Sequence, residues 1–252
     1  MASAIQRVRH VEVAGLMNLR NLGGYHTNNS AKTTKWGVVY RSDQLCRVPA
    51  GVAQEILVDQ VRIRHVYDLR DEAEVSANRY SFLGMRRTSF PIGMSIPDRF
   101  LKEGEDLKNA TTARGYMQEV YRGFVHSYAP VLGRVIKGIV DSNASLLHCT
   151  AGKDRTGWIC YVLLTLLDVT ERKRADYLLT NAYVGVPPDA WDYDGADGMS
   201  AEAMEALWTA YDEYLDAALD ELEKLGGVYR YAKTHMGLTD EDIGRLRELM
   251  LD

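Results

Sequence analysis

The sequence predicts an α/β protein with a central, mainly parallel sheet flanked by helices and a helical C-terminal part. Short strands rich in valine and leucine alternate with helical segments over the first two thirds of the chain. Three of these strands end in polar segments, which is where ligands bind to parallel sheets. With 252 residues, of which 46% are hydrophobic, residues 1–252 are expected to form a single domain with an insert or lid around 184–225.

The predicted strands lie mostly in the N-terminal half. The valine-rich segments HVEVAG (10–15) and WGVVYRS (36–42) are typical of strands, and GVAQEILVDQ (51–60) has the apolar spacing of a helix. The segment VRIRHVYDLR alternates like a strand that ends at Asp68, and RRTSFPIG predicts a further strand broken at Pro91.

Helical spacing dominates the rest of the chain. Apolar residues recur at helical intervals from about Thr111 to Ser127, and Pro130 suits the first turn of the next helix. The apolar strand SLLH (145–148) follows. The predicted N-caps of the later helices are Thr170, Ser200 and Thr239. The helix that begins after Ser200 is expected to continue to about Leu225, before Gly226 and Gly227. Thr239 and Asp242 have the spacing of a capping box.

The segment 184–199 fits neither a strand nor a helix. It is rich in proline, glycine, aspartate and aromatic residues and predicts a long surface loop. Long loops are usually functional or disordered, so a lid with Trp191 and Tyr193 beside a pocket and a plain surface excursion both remain open.

Composition and cysteine usage limit the classes of function. A net charge of −5 argues against a nucleic-acid partner, although a local basic pocket is compatible with it. The three cysteines form no C-x-x-C or zinc-ligand pattern, which favours free thiols in the reducing cytoplasm. Sparse cysteines do not by themselves distinguish a cytoplasmic from an exported protein. The first twenty residues lack the apolar core of a signal peptide, and the run 158–167 is too short for a transmembrane segment.

The segment HCTAGKDRTG (148–157) lies between an apolar strand and an apolar helix. The amides from Thr150 to Arg155 can turn inward as a nest for an anion, and the positive end of the next helix points into that nest. Gly152 and Gly157 permit backbone conformations that a side chain would obstruct. The planar guanidinium of Arg155 can hold two oxygens of a phosphoryl group.

Cys149 is expected at the floor of this nest, where amides and helix dipole favour its thiolate. Such a thiolate can attack phosphorus and form a phosphocysteine that water later hydrolyses, with no metal or cofactor. The alternative is a buried structural cysteine beside an exposed basic loop. A nucleotide-binding P-loop is excluded because Asp154 follows Lys153 and Leu147 stands where a glycine is required.

HCTAGKDRTG resembles the CX5R signature loop of the protein tyrosine phosphatase superfamily. Its GKDRTG ending is similar to that of microbial tyrosine/serine phosphatases with dual-specificity and phosphoinositide activity. NLRNLGGY (18–25), VVYRSDQL (38–45) and VYDLRDEAEV (66–75) fit the same branch. The resemblance implies a tyrosine-phosphatase-like fold, Cys149 as nucleophile and Arg155 as phosphate clamp. Phosphate binding is expected from the remaining loop residues, namely Thr150, Ala151, Gly152, Lys153, Thr156 and Gly157.

The leaving group needs a proton donor. The Trp-Pro-Asp tripeptide that carries this donor in many tyrosine phosphatases is absent here. In the branch that this chain resembles, the loop aspartate is the favoured general acid, which implies Asp154, with Asp98 of IPDRF second. Asp189 follows the nucleophile, out of the usual order. The alternative for Asp154 is a salt bridge that shapes the loop.

Several further residues are supporting candidates. Lys153 either adds positive charge at the pocket mouth, which suits multiply phosphorylated substrates, or pairs with a nearby aspartate. His148 is expected to hold the loop by hydrogen bonds. Asp68 and Arg70 either orient the loop or form a surface ion pair. Resemblance alone suggests Arg20, Asn21 and Asp43, whereas Cys46 and Cys160 are expected to be packed thiols.

The sequence therefore predicts a metal-independent cysteine phosphatase acting on phosphate monoesters. The expected partner is a phosphorylated protein or a phosphoinositide, and phosphotyrosine, phosphoserine and phosphothreonine all remain open as targets. A catalytically weak phosphate-binding module with the same loop is the alternative. Arsenate reduction or sulfur transfer from a similar anion cradle is a third possibility, although the other two cysteines show no pairing that would recycle thiols.

Overall fold

A computed structural model describes residues 4–28, 31–94, 107–142, 144–170, 172–192 and 198–252. Within these ranges one sheet has the strand order β1-β2-β5-β3-β4. Strands β2, β5, β3 and β4 run parallel, and β1 is antiparallel to β2. The predicted mainly parallel sheet is confirmed. The strands are β1 (Arg20–Asn21), β2 (Val39–Ser42), β3 (His65–Asp68), β4 (Arg86–Ser89) and β5 (Ser145–His148).

Helices flank this sheet and make up the C-terminal part of the chain. Their bounds are α1 (Ala50–Val52, continued by a π-helix over Ala53–Gln60), α2 (Glu72–Ala77), α3 (Ala110–Ser127), α4 (Ala129–Val140), α5 (Asp154–Leu166), α6 (Arg172–Leu178), α7 (Ala201–Trp208), α8 (Asp212–Lys224), α9 (Gly227–Thr234) and α10 (Asp240–Met250). Short 3₁₀ turns cover Ile5–Arg7, Leu45–Arg47, Leu179–Ala182 and Pro188–Asp192.

Apolar cores lie on both faces of the sheet. Successive side chains of a strand point to opposite faces, so Leu147 joins one core and Leu146 the other. The larger core packs α3, α4, α5 and the C-terminal helices against the sheet. The smaller core holds Val11, Val13 and the apolar side of the 50–60 helix. Because both faces are covered, every residue of the central strands β2 and β5 is buried.

The predicted strand HVEVAG is wrong. His10 and Val13 form only isolated bridges there, because the chain reverses at Gly15, which has a φ of +89°. The amide of Leu16 already donates to the carbonyl of Val13, at 3.0 Å. Val11 and Val13 are buried in the smaller core instead.

The single long helix predicted after Ser200 is also wrong, because the chain breaks between α7 and α8. The side chain of Asn181 accepts from the amide of Ala210 at 2.7 Å and donates to its carbonyl at 2.8 Å. The ammonium group of Lys153 donates to the carbonyls of Leu207 and Thr209. These side chains replace the backbone hydrogen bonds that a continuous helix would make.

Other predicted elements agree with the structure. Helices α3 and α4 match their predicted bounds, and the caps at Ser200 and Thr239 form as expected. Helix α5 begins at Asp154, inside the segment HCTAGKDRTG, and contains most of the apolar run that was predicted to be helical. In the segment predicted as a loop, Ala190 packs on Met204, and residues 193–197 lie outside the described part of the chain.

In the described ranges, no helix is both long and apolar enough to span a bilayer.

Candidate active site

The carboxyl ends of three neighbouring strands meet at one edge of the sheet. His148, the last residue of β5, is the register partner of Ser42 on β2 and of Asp68 on β3. The segments that follow these strands are the three polar segments identified in the sequence. The signature loop that begins at Cys149 therefore lies between the segments that follow β2 and β3.

Neighbouring segments bind the outer side of this loop. The carbonyl of Thr150 accepts from the amide of Gln44 at 2.9 Å, and that of Ala151 accepts from Nδ2 of Asn18 at 2.9 Å. The carbonyl of Gly152 accepts from Nη2 of Arg41 at 2.6 Å.

The direction of these carbonyls fixes the direction of the loop amides. In a trans peptide the N–H points away from the preceding C=O, so the amides of Ala151, Gly152 and Lys153 face the opposite, inner side. No hydrogen bond from these amides to a described residue is present. Three aligned, unpaired amides beside Cys149 are a geometry that binds an anion.

Gly152 is required by this path of the chain. Its φ is +68°, and a Cβ there would lie 2.3 Å from the carbonyl oxygen of Ser42. Both the conformation and the close contact with β2 exclude larger residues. At Gly157 a Cβ would lie 2.9 Å from the ring of Tyr177, so this glycine allows α5 to pack closely against α6.

Arg155 is held by Glu74, a residue of α2. Its Nη1 and Nη2 donate to the two carboxylate oxygens at 2.5 and 2.6 Å, and Nη1 also donates to the carbonyl of Ile92 at 3.1 Å. Thr150 donates its hydroxyl to the same carboxylate. Although burial opposes the charge of Arg155, its bonds with Glu74 and the nearby Cys149 raise its pKa above the ordinary value.

One edge of the Arg155 guanidinium remains free. Its Nε is buried and has no hydrogen-bond partner among the described residues, and the same is true of the Thr156 hydroxyl. Buried donors are nearly always paired in folded proteins, and exceptions concentrate at functional sites. Because Glu74 occupies only the outer nitrogens, Nε is available for a bound oxyanion.

Asp154 is the first residue of α5, and one of its two oxygens is engaged. Its Oδ1 accepts from the hydroxyl of Tyr121 at 2.9 Å and lies 3.3 Å from Nζ of Lys153. The side chain is 13% exposed, so the carboxyl group is close to the surface but not free in solvent. Both sequence-based interpretations of Asp154, an acid and a shaping contact, are compatible with this position.

Lys153 lies beside a nearby aspartate, as one of the two sequence-based alternatives expects, because its Nζ is 3.3 Å from Oδ1 of Asp154. The residue is buried, and its ammonium group donates to the carbonyls of Leu207 and Thr209. Burial lowers the pKa of Lys153, and the neighbouring Asp154 and Cys149 oppose part of that effect. A side chain held in this way anchors the end of α7 to the loop.

His148 contacts the start of the loop and Tyr80 through its two ring nitrogens. Its Nδ1 lies 2.9 Å from the carbonyl of Cys149, and its Nε2 lies 2.6 Å from the hydroxyl of Tyr80. Burial lowers the pKa of His148 to about 4, so the ring is neutral at pH 7. A neutral ring then donates from Nδ1 to the carbonyl and accepts from Tyr80 at Nε2.

Asp68 and Arg70 form a fully buried pair, not the surface ion pair that the sequence left open. Nε and Nη2 of Arg70 donate to the two oxygens of Asp68 at 3.0 and 2.8 Å. Arg87 adds a third contact with Asp68, at 2.8 Å. Although burial opposes ionisation, the hydrogen bonds and the charge of Arg70 lower the pKa of Asp68 to about 2.

A second buried ionic cluster connects the loop to α6. Asp176 accepts from Nε of Arg20 at 3.2 Å and from Nη1 of Arg41 at 2.6 Å. Burial opposes its ionisation, but the two arginines lower the pKa of Asp176 to about 2. The guanidinium of Arg41 thus donates from Nη1 to the carboxylate of Asp176 and from Nη2 to the carbonyl of Gly152.

The sequence did not single out several residues of this site. Asn18, Arg41 and Glu74 lie in segments that resemble the family, but no role was assigned to them. A further signal for Glu74 is the capping box that it forms with Asp71. Tyr121 carried no local signal.

The remaining sequence-based candidates take structural positions or are not described. Asp43 accepts from the amides of Met17 and Asn18, and Asn21 donates to the carbonyl of Gln6. Cys160 is buried, Cys46 is half-buried, and Asp98 lies outside the described residues.

The sequence of this chain is similar to those of known proteins over most of its length. The sequence model described as "Tyrosine phosphatase family" matches residues 11–252. A protein of Cupriavidus necator named "Putative tyrosine-protein phosphatase" is 27% identical over 258 residues, covering 90% of this chain and 91% of the relative. A match with the crystal structure of TpbA from P. aeruginosa covers 73% of this chain and 86% of the TpbA chain, with 12% identity and a TM-score of 0.30. The match over residues 11–252 shows that the chain belongs to the tyrosine phosphatase family.

Proposed function

We propose that this chain hydrolyses phosphate monoesters by way of a phosphocysteine on Cys149, without a metal ion. The proposal rests on the three successive loop carbonyls that point outward and accept hydrogen bonds from Gln44, Asn18 and Arg41. It leaves the inner amides free for the phosphoryl oxygens, which become more negative as the transition state develops. Family membership supports phosphatase activity in general.

The first step transfers the phosphoryl group to sulfur. The thiolate of Cys149 attacks phosphorus, so the S–P bond forms while the bond to the leaving oxygen breaks. The inner amides and Nε of Arg155 hold the equatorial oxygens, and Asp154 gives its proton to the departing oxygen. In the second step water attacks phosphorus, its proton passes to the Asp154 carboxylate, and the S–P bond breaks to regenerate the thiolate.

Phosphotyrosine is the substrate class that we place first, with phosphoserine, phosphothreonine and phosphoinositides as the alternatives. The positive charge that favoured phosphoinositides was assigned to Lys153, and this ammonium group is instead bound to carbonyls of the 207–209 segment. A side-by-side panel of phosphopeptides and phosphoinositides decides between these classes. A higher kcat/KM for phosphoinositides than for phosphotyrosine peptides would contradict the order proposed here.

We further propose that the chain acts as one phosphatase domain. Residues of α8 and α9 such as Tyr214 and Tyr231 share the larger core with Leu147 and Trp158, which lie on either side of the signature loop. The C-terminal helices therefore belong to the packing that supports the loop. Removal of α8 to α10 is expected to abolish cooperative unfolding, and a truncated chain with unchanged activity would contradict this.

The decisive experiment uses 4-nitrophenyl phosphate. We expect release of phosphate from this substrate to resist chelators and to disappear in Cys149→Ser. With phenyl phosphate, whose leaving group needs the acid, we expect Asp154→Asn to lower kcat/KM about 100-fold or more and to lose the basic limb of the pH profile. An unchanged profile in Asp154→Asn would contradict the acid role.

A wild-type chain that binds phosphate or vanadate but releases no product would indicate the phosphate-binding module instead. Titration of free thiols after incubation with arsenate tests the reductase alternative, in which thiols would be consumed.

A further inference from the structure

Two buried tyrosines from separate helices lead to the carboxyl group of Asp154. Tyr121 on α3 donates its hydroxyl to Oδ1 of Asp154 at 2.9 Å. The hydroxyl of Tyr177 on α6 lies 2.9 Å from that of Tyr121. Since the single proton of the Tyr121 hydroxyl is directed at the carboxylate, Tyr177 is the donor between the two tyrosines.

The position of the Tyr121 hydroxyl is fixed by its surroundings. Tyr121 is fully buried, and its ring packs against Phe124 and Tyr214 with centroid distances of 5.2 and 6.0 Å. Burial together with the charge of Asp154 raises the pKa of Tyr121 well above the usual range, so its hydroxyl remains a proton donor. A rigid donor in this place determines how the carboxyl group of Asp154 is turned.

The two oxygens of Asp154 are therefore not equivalent. Oδ1 receives the hydroxyl of Tyr121 and faces the ammonium group of Lys153 at 3.3 Å, whereas no hydrogen bond from the described residues reaches Oδ2. A proton on Oδ1 would compete with these two donors. The proton of a neutral Asp154 accordingly resides on Oδ2.

We propose that Tyr121 is a positioning residue for the general acid, because its hydroxyl holds Oδ1 of Asp154 and so presents Oδ2 to the leaving group. The inference rests on the proposed function, in which Asp154 protonates the departing oxygen. It adds a residue of α3, 33 positions before Asp154, to the machinery of the loop.

The dependence of rate on the leaving group tests this proposal. An unactivated substrate such as phenyl phosphate needs the acid, whereas 4-nitrophenyl phosphate departs with little help. We expect Tyr121→Phe to lower kcat/KM about tenfold for phenyl phosphate, as for the loss of one hydrogen bond to a charged group, and much less for 4-nitrophenyl phosphate. KM for both substrates is expected to stay close to the wild-type value, because the phosphate-binding amides are untouched.

The matched control is Tyr231→Phe. This variant also removes a fully buried hydroxyl, which donates to the carbonyl of Val125 at 2.8 Å. It is expected to lower the melting temperature as Tyr121→Phe does and to leave the ratio of the two kcat/KM values unchanged. A control that changes this ratio as much as Tyr121→Phe would overturn the proposal.

The double variant Tyr121→Phe/Asp154→Asn separates this inference from the proposed function. If Tyr121 acts through Asp154, the double variant loses no more activity than Asp154→Asn alone. Losses that multiply, or an equal loss on both substrates in Tyr121→Phe, would overturn the positioning role while leaving Asp154 as the acid. If Asp154→Asn itself shows no selective loss on phenyl phosphate, the acid assignment fails and this proposal fails with it.

Discussion

The pair between Glu74 and Arg155 allows a quantitative prediction for Glu74→Gln. The carboxylate accepts two charge-assisted hydrogen bonds from Arg155, at 2.5 and 2.6 Å. A glutamine can accept only one, and its NH₂ group would face a donor nitrogen. Such a bond contributes about 1.5–3 kcal/mol, and water at a side chain that is 28% exposed offsets part of it. We therefore expect Glu74→Gln to reduce the stabilisation of the transition state by about 2 kcal/mol, because Arg155 is held less firmly in the orientation that binds phosphate.

This loss corresponds to about a 30-fold lower kcat/KM for 4-nitrophenyl phosphate. The assay is steady-state hydrolysis, accompanied by urea unfolding to measure the change in stability. Glu72→Gln is the control, because Glu72 lies in the first turn of the same helix and is exposed. If kcat/KM of Glu74→Gln stays within about threefold of the wild-type value, Glu74 does not orient Arg155 for phosphate binding.

Two further predictions concern His148 and Asn18. The pKa of His148 falls from 6.5 to about 4 on folding, so the unfolded chain binds a proton that the folded chain excludes between these values. Its contribution to stability is complete above about pH 6.5 and is lost as the pH falls towards 4. Urea unfolding should give about 2 kcal/mol less stability at pH 5 than at pH 7.5, and the same drop in His148→Asn would show that another group is responsible. Asn18→Ala leaves the Ala151 carbonyl unpaired, so orthovanadate should bind about fivefold more weakly by calorimetry, whereas wild-type affinity would mean that this bond does not order the loop.

The sequence predicted best what is contiguous in the chain. Cys149 and Arg155 belong to one ten-residue segment between an apolar strand and an apolar helix, so their shared site follows from local geometry. The polar ends of β2, β3 and β5 were expected at one edge because parallel strands bring their carboxyl ends together. Both the shared site of Cys149 and Arg155 and the common edge of the three strands follow from the order of strands and helices along the chain.

Side-chain partners distant in the chain could not be predicted in the same way. Glu74 meets Arg155 across 81 residues, and Asn18 meets the carbonyl of Ala151 across 133. In the sequence, many polar residues are equally plausible partners for such pairs, and only the packing of the folded chain determines which of them meet. Lys153 illustrates this, because carbonyls 54 residues later cover an ammonium group that local sequence leaves free.

The proposed reaction requires that the sulfur of Cys149 carries the phosphoryl group during turnover. The most direct measurement is rapid acid quenching during hydrolysis of 4-nitrophenyl phosphate, followed by mass spectrometry of the intact chain and its peptides. We expect one added phosphoryl group on Cys149, present in the wild-type chain and absent in Cys149→Ser. Turnover by Cys149→Ser at the wild-type rate, or a phosphoryl group on any other residue, would contradict it.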